Sequence, residues 1–246
     1  MERNKKVLIS IIIATYNAEQ HLMACLNSIV KQSNKDFFEV IVVDGMSSDQ
    51  TIQILNDFKG LCLRWKSEAD QGIYDALNKG IGMATGKWLY FLGSDDRLLP
   101  GFSTLADQLK DENTVYYGNS IGRSQDMDVQ TYGLLQGEFS AYRLAKFCMN
   151  HQSILYPAKV FQKRKYDLKY KVLADYAFNI RLWGDRQFPK VFYPFKIVDY
   201  NMDGFSSMHI DQQFEQDKLR LIRKEMGWNV FLRFMFRRFK DRLKSR

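Results

Sequence analysis

Through residue 112, short apolar runs alternate with amphipathic stretches. Residues 7–14 (VLISIIIA) are apolar almost throughout and rich in β-branched side chains, the pattern of a strand covered on both faces of a parallel sheet. Residues 18–32 then set Leu22, Leu26, Ile29 and Val30 on one helical face. The strand signal returns at 38–43 (FEVIVV), and Ser47, Ser48 and Asp49 offer N-caps for a helix carrying Ile52, Leu55 and Phe58. A weaker third strand follows at 61–65, a helix at 73–84, a fourth strand at 87–92 (KWLYFL) and a helix near 102–109. That βαβαβαβ rhythm predicts an open, mostly parallel Rossmann-like α/β sheet with helices on both faces and right-handed crossovers.

Beyond residue 112 the alternation lapses. β-like pieces at 114–118, 128–135 and 150–156 mix with helical ones near 173–183 and 211–226, an α+β elaboration packed on the first half. No repeat, low-complexity tract or Pro/Gly-rich linker interrupts the chain. Residues 1–227 are therefore expected to form one domain with halves at 7–112 and 113–227, followed by a tail at 228–246.

In a sheet of βα units the residues just past each strand share one edge, where ligands bind. Here they are polar every time: Thr15, Tyr16 and Asn17, then Asp44 and Gly45, then Glu68 through Gly72, then Ser94, Asp95 and Asp96. Five carboxylates, Asp44, Glu68, Asp70, Asp95 and Asp96, would crowd that rim. Each alone reads equally as a cap for the helix that follows it. Adjacent Asp95 and Asp96 cannot both be caps. A hard divalent cation, Mg²⁺ or Mn²⁺, shared with a diphosphate ligand, would offset their repulsion.

Composition narrows the classes. The 246 residues are 46% hydrophobic and 26% charged, which excludes disordered and fibrous chains. The net charge is +8, and from Arg233 onward seven basic side chains accompany a single acid, Asp241. A nucleic-acid surface would spread that charge over the fold, whereas a basic end reads as a local docking device. Cys25, Cys62 and Cys148 form no C-x-x-C pair, which points to a reducing cytoplasm. Arg3, Lys5 and Lys6 precede an apolar run too short, and too poor in small residues at its end, for a signal peptide. No stretch reaches the roughly eighteen apolar residues of a membrane span.

The segments SIIIATYN (10–17), VVDGMSSDQT (42–51), SEADQGIYDALNKGIGMATG (67–86) and YFLGSDD (90–96) resemble the family 2 glycosyltransferases of the GT-A fold. The likeness is closest to the bacterial branch that assembles capsular, exopolysaccharide and O-antigen repeat units. It is close over residues 7–100 and looser to about 206. The resemblance implies that Thr15, Tyr16, Asn17 and Asp44 hold the base and ribose of a nucleoside-diphosphate sugar. Glu68, Asp70 and Gly72 would line the donor pocket, supported by Tyr74, Asp75 and Asn78. Asp95 would contact the ribose or sugar, and Asp96 would ligate the Mg²⁺ or Mn²⁺ bridging the two phosphates. The triplet here is Ser94-Asp95-Asp96 and not a full Asp-x-Asp.

The resemblance also places the catalytic base at Asp175, with Ala174 where the family usually carries Glu. That carboxylate would take the acceptor hydroxyl's proton during attack on the anomeric carbon, with inversion. His151, in a His-Gln segment similar to one in this branch, would touch the metal or the diphosphate. Residues 203–207 (DGFSS) would close over the donor. The Gln-x-x-Arg-Trp signature of processive members is absent, implying one sugar per encounter. From the residues alone, Asp175 also reads as a helix cap or a partner of Arg181 or Lys171, and His151 as structural.

At the C-terminus, Trp228, Phe231, Leu232, Met235, Phe236 and Phe239 recur at helical spacing among basic residues. Two readings stand: a helix lying in an anionic membrane interface, or one packed on the core with a solvated basic face. With a lipid-linked glycan acceptor, the first implies a cytoplasmic protein peripheral on the inner face of the bacterial membrane. Two other functions compete with sugar transfer. A nucleotide-cofactor dehydrogenase lacks its G-x-G-x-x-G, since ATYNAEQH follows the first strand. A non-catalytic binder of nucleic acid or an anionic surface leaves the acidic rim unexplained.

Overall fold

The computed structural model describes residues 7–123, 136–202 and 210–244. Four strands, β1 (Ile9–Thr15), β2 (Phe38–Asp44), β3 (Leu63–Ser67) and β4 (Trp88–Gly93), run parallel in the order β3-β2-β1-β4. β1 is central, so its apolar run divides between two faces. Ile9, Ile11 and Ile13 join a core with α1 (Leu22–Val30), α2 (Thr51–Asp57) and α4 (Gly101–Ala106). Ile12 joins a second core with α3 (Ile73–Met83) on the other face. The α/β alternation read from the sequence is thus realised, with boundaries shifted by a few residues. One local difference concerns α2: its cap Gln50 makes no side-chain bond. Ser47 turns back to Asp44, while Asp49 serves both sides: its Oδ1 accepts from the Thr51 amide at the start of α2 at 2.9 Å and its Oδ2 from the Glu19 amide at 3.1 Å.

The sheet then continues as β4-β7-β6-β8-β5, with β5 (Arg97–Leu98), β6 (Val115–Arg123), β7 (Ile154–Pro157) and β8 (Lys190–Asn201). β7 is antiparallel to both neighbours, β6 and β8 are parallel, and β5 pairs antiparallel with the end of β8. The twelve-residue β8 was not foreseen. It is half-exposed and contains Pro194, so neither alternation nor composition marks it. Its pairing with β6 slips between Tyr117 and Asn119, where a Cβ on Gly118 would lie 2.7 Å from the Phe195 carbonyl oxygen. The strand expected at 128–135 lies outside the described residues.

Among the described residues five more helices clothe this half: α5 (Ala141–Lys146), α6 (Ala158–Lys163), α7 (Ala174–Gly184), α8 (Gln212–Leu221) and α9 (Trp228–Lys244). A π-helical turn, Ile222–Met226, links the last two. α6 and α7 meet through stacked Phe161 and Phe178, 4.7 Å between ring centroids. α9 packs along one side and leaves the other to solvent. Phe234 is buried, Val230 and Phe231 pack half-buried on the core, and the Arg233 guanidinium sits 4.0 Å from the Tyr142 ring centre. The opposite stripe, Trp228, Leu232, Phe236, Phe239 and Leu243, stays about 60% exposed at each position. Among the described residues no helix is long and apolar enough to cross a membrane.

Candidate active site

Register alone aligns the polar strand ends. Thr15 on β1 pairs with Asp44 on β2, and Ala14 with Gly93 on β4, so the loops after these strands leave the sheet at one edge. Two of them hold non-glycine residues in the left-handed region, Asn17 at φ 48° and Met46 at φ 63°, the local strain common at binding rims. Tyr16 is largely exposed there, at 67%. The Asn17 amide donates to Ser47 Oγ at 2.8 Å and its Oδ1 accepts from the Ser48 amide at 2.9 Å, which ties the first two loops together.

Asp44 sits beneath this rim. It is fully buried, and Thr15 Oγ1 (3.1 Å), Ser67 Oγ (2.7 Å), the Ser47 amide (2.9 Å) and the Ser47 hydroxyl all donate to it. Burial pushes its pKa up, but the bonds from Ser47, Ser67 and Thr15 outweigh burial and hold the carboxyl below its usual range. Asp44 thus stays an anion and braces three strand ends. Asp70 leans on the same corner: a Cβ on Gly45 would lie 2.7 Å from its Oδ2, and its Oδ1 accepts from the Gly72 amide at 2.8 Å. Glu68 pairs with Lys66 at 2.6 Å and Lys79 at 3.4 Å, and Asp75 pairs with Lys79 at 3.2 Å. Tyr74 and Asn78, on the helix that follows, reach into the second half. The Tyr74 hydroxyl meets Asp175, and Asn78 exchanges two bonds with the Tyr166 backbone at 2.9 and 3.0 Å.

The β4 end is different. Asp95 and Asp96 fold back over Gly93, where any Cβ would strike Asp96 Oδ2 and lie 3.1 Å from Asp95 Oδ1. Asp96 is 3% exposed; its Oδ1 accepts from the Asn201 amide at 2.6 Å and its Oδ2 from Gln152 Nε2 at 2.5 Å. Asp95 Oδ2 accepts from Asn201 Nδ2 at 3.1 Å. All three donors are neutral, and among the described residues no ion pair engages either carboxylate. Burial first, and then the Asp95 charge, push the Asp96 carboxyl up to about 6. A divalent cation fits this donor set, since it would relieve two adjacent anions with hard oxygen ligands. Among the described residues no group of three His, Cys, Asp or Glu could hold a metal ion. Two carboxylates completed by phosphate oxygens and water is an ordinary Mg²⁺ arrangement.

Asp175 opens α7 and is 7% exposed. Its Oδ1 accepts from the Tyr74 hydroxyl at 2.8 Å, and its Oδ2 stands 3.1 Å from His151 Nδ1. The single Tyr74 hydroxyl proton is shared between Asp175 Oδ1 and the Val172 carbonyl, 2.6 Å away. Burial, reinforced by the Asp175 charge, lifts the Tyr74 pKa far above the usual phenol value, so it stays a donor. His151 lies in a one-turn 3₁₀ helix capped by Asn150 Oδ1, and its neighbour Gln152 is the residue bonded to Asp96. One dipeptide therefore spans from the Asp95–Asp96 turn to Asp175. Asp211 fixes the far side: its Oδ2 accepts from the Val172 and Leu173 amides at 2.9 and 3.0 Å, and its Oδ1 caps α8 through the Phe214 amide at 3.0 Å.

Sequence reasoning did not single out Ser47, Ser67, Gln152, Asn201 or Asp211 as site residues. Asn201 ends the unforeseen β8, and Asp211 braces a backbone 38 or 39 residues away, so neither leaves a local signal. Residues 203–207, expected to close over a ligand, lie outside the described residues.

Residues 10–181 match the family described as Glycosyl transferase family 2. A PGL/p-HBAD biosynthesis glycosyltransferase of Mycobacterium tuberculosis is 38% identical over 218 residues, covering 84% of this chain and 82% of the relative. The fold is similar to that of S. aureus TarS 1-349 in complex with UDP-GlcNAc, with TM-score 0.77 and 21% identity over 95% of this chain and 73% of that one. It is also similar to mannosyltransferase PcManGT from Pyrobaculum calidifontis in complex with GDP-Man and Mn²⁺. There the TM-score is 0.65 at 15% identity, over 93% of this chain and 68% of the other. At such identities the two structures speak to the fold, which is GT-A.

Proposed function

The chain belongs to glycosyl transferase family 2 and is a glycosyltransferase, and from that premise we propose that it moves one sugar per encounter, with inversion, from a nucleoside-diphosphate sugar to a glycan hydroxyl. The observation that carries the donor reading is the adjacent Asp95–Asp96 pair on the Gly93 turn, whose carboxylates meet no ion-pair partner among the described residues, at the edge where the parallel strands end. Residues 7–112 act as the donor half and 113–227 as the acceptor half.

Asp96 would hold Mg²⁺ or Mn²⁺, with Asp95 beside it toward the donor's ribose or sugar, and the ion would supply neutralisation of charge on the departing diphosphate. Thr15, Tyr16, Asn17 and the Asp44-braced loop receive the base and ribose, and Glu68, Asp70, Gly72 and Asp75 border the donor. Asn201 and Gln152 keep the two carboxylates oriented. The acceptor's proton leaves toward Asp175, whose negative charge the Tyr74 and His151 contacts hold in place. The acceptor is a lipid-linked glycan of surface polysaccharide or glycolipid synthesis, in keeping with the mycobacterial relative's name. The bare apolar stripe of α9, flanked by Arg237, Arg238, Lys240 and Arg242, docks on the anionic inner face of the bacterial membrane.

A thermal-shift panel of UDP, GDP, dTDP and NAD, each with and without Mn²⁺, tests the donor reading. One diphosphate raising the midpoint only when Mn²⁺ is present supports it. Stabilisation by NAD alone, or by none of the four, removes it.

A further inference from the structure

Among the described residues only Asn17 and Met46 are non-glycine positions with a left-handed backbone, at φ 48° and 63°, and both stand at the open edge of the sheet. Asparagine tolerates that region because its short polar side chain bonds locally, as Asn17 does with the Ser48 amide. Methionine has no such relief. The turn explains the backbone at residue 46, since the chain must double back for the Ser47 amide and hydroxyl to reach Asp44. It does not explain the side chain, because glycine would make the same turn without strain. Packing does not explain it either: Met46 is 61% exposed. A lone exposed apolar residue is ordinary, but one kept on a strained backbone at a binding rim points to a ligand.

We propose that Met46 is a donor-binding residue whose thioether covers a face of the nucleobase. The inference rests on the nucleoside-diphosphate-sugar reading above and deepens it. Tyr16, 67% exposed, precedes Asn17 as Met46 precedes Ser47. The Asn17 amide donates to Ser47 Oγ at 2.8 Å and Asn17 Oδ1 accepts from the Ser48 amide at 2.9 Å, so the two turns are tied and their exposed side chains belong to one rim. That rim offers an aromatic ring and a polarizable sulfur above the Asp44 brace. A flat heteroaromatic ring is the ligand such a pair suits, since sulfur–aromatic contacts are favourable and a thioether adapts to irregular shape. Every base presents a π-face, so the contact adds affinity for nucleotides without choosing among them.

The side chain could instead act only by stiffening its loop, because any residue with a Cβ leaves the backbone less freedom than glycine does. Asparagine separates the two roles. It is at ease in the left-handed region and keeps the loop stiff, but it lacks the apolar cover.

The test titrates UDP, GDP and dTDP, each with Mn²⁺, into wild type, Met46→Gly, Met46→Asn and Met46→Leu by calorimetry, beside the thermal midpoint of each protein without nucleotide. Met46→Gly and Met46→Asn relieve the backbone, so their midpoints should rise by about 1–4 °C. Both should nonetheless bind the nucleotide that wild type binds about 2- to 12-fold more weakly, the range of a lost sulfur–aromatic contact. Met46→Leu keeps the strain and the apolar cover, and its affinity should stay within about 2-fold of wild type. A purely structural residue would not move stability and affinity in opposite directions. Wild-type affinity in Met46→Asn overturns the proposal, whatever Met46→Gly does. Midpoints that fall in both Met46→Gly and Met46→Asn overturn it through its premise of a strained backbone. A wild-type protein that binds none of the three nucleotides with Mn²⁺ refutes the donor reading itself, an outcome distinct from the others.

Discussion

The half of this molecule before residue 113 and the half after it are built by different means. In the first, parallel backbone ladders and two apolar faces do the positioning, and the functional side chains are simply whatever follows each strand. In the second, side chains carry the geometry: Asp211 holds the backbone ahead of Asp175, Tyr74 crosses from α3 to lock it, and the Tyr170 hydroxyl donates to Asp217 at 2.8 Å. A ladder tolerates many sequences so long as periodicity is kept, whereas a network of buried polar contacts depends on each member. The first half should therefore degrade gradually under substitution and the second abruptly.

The sharpest break is expected at Asp175. Replacing it by Asn keeps the shape and the Tyr74 contact while removing the charge, and kcat should fall by about 10²- to 10⁴-fold with nucleotide binding intact. Wild-type turnover would remove Asp175 from the reaction. Next comes a pair of carboxylates with similar backbone-bonding duties. Asp211→Ala leaves the Val172, Leu173 and Phe214 amides without their partner in a buried setting, a loss of about 1–3 kcal/mol. Asp49→Ala, which frees the Glu19 and Thr51 amides to water at a loop of the first half, should change stability less. Urea unfolding of the two variants gives the comparison directly, and equal losses would contradict it. The smallest effect should appear in α9. Phe236→Ser with Phe239→Ser removes two exposed rings, so folding stability should stay within about 0.5 kcal/mol of the parent. Co-sedimentation with anionic phosphatidylglycerol vesicles should nonetheless drop several-fold. Unchanged co-sedimentation would show that the stripe meets no lipid.

The same contrast accounts for what could be read from the chain. β1, β2 and β4 stand out because residues buried on both faces must be apolar, and a run such as SIIIAT or FEVIVV suits few settings besides a doubly covered strand. Asp95 and Asp96 were legible for the same reason, as polar residues immediately after such a run. β8 was not, because its exposure is mixed, Pro194 interrupts it, and its register slips past Gly118. Asn201 inherits that obscurity although it contacts both carboxylates. The pairing of His151 with Asp175 spans 24 residues and depends on how a 3₁₀ turn meets a helix start, a relation with no periodic trace. The tail was legible in composition but not in allocation. Its spacing allows either side to face the body, and the ring of Tyr142 and the core under Phe234 decide which.

One outer margin of the sheet has a bearing on how the protein fares in a crowded cell. β3 is only five residues long, and Arg64 and Lys66 alternate along it, Arg64 paired with Glu39 at 2.6 Å and Lys66 with Glu68 at 2.6 Å. Its open side carries unpaired amides and carbonyls that would otherwise template a stray chain. So short an edge, bordered by ion-paired polar side chains, gives a strand from a sister molecule little to extend, and the sheet stops growing where β3 ends.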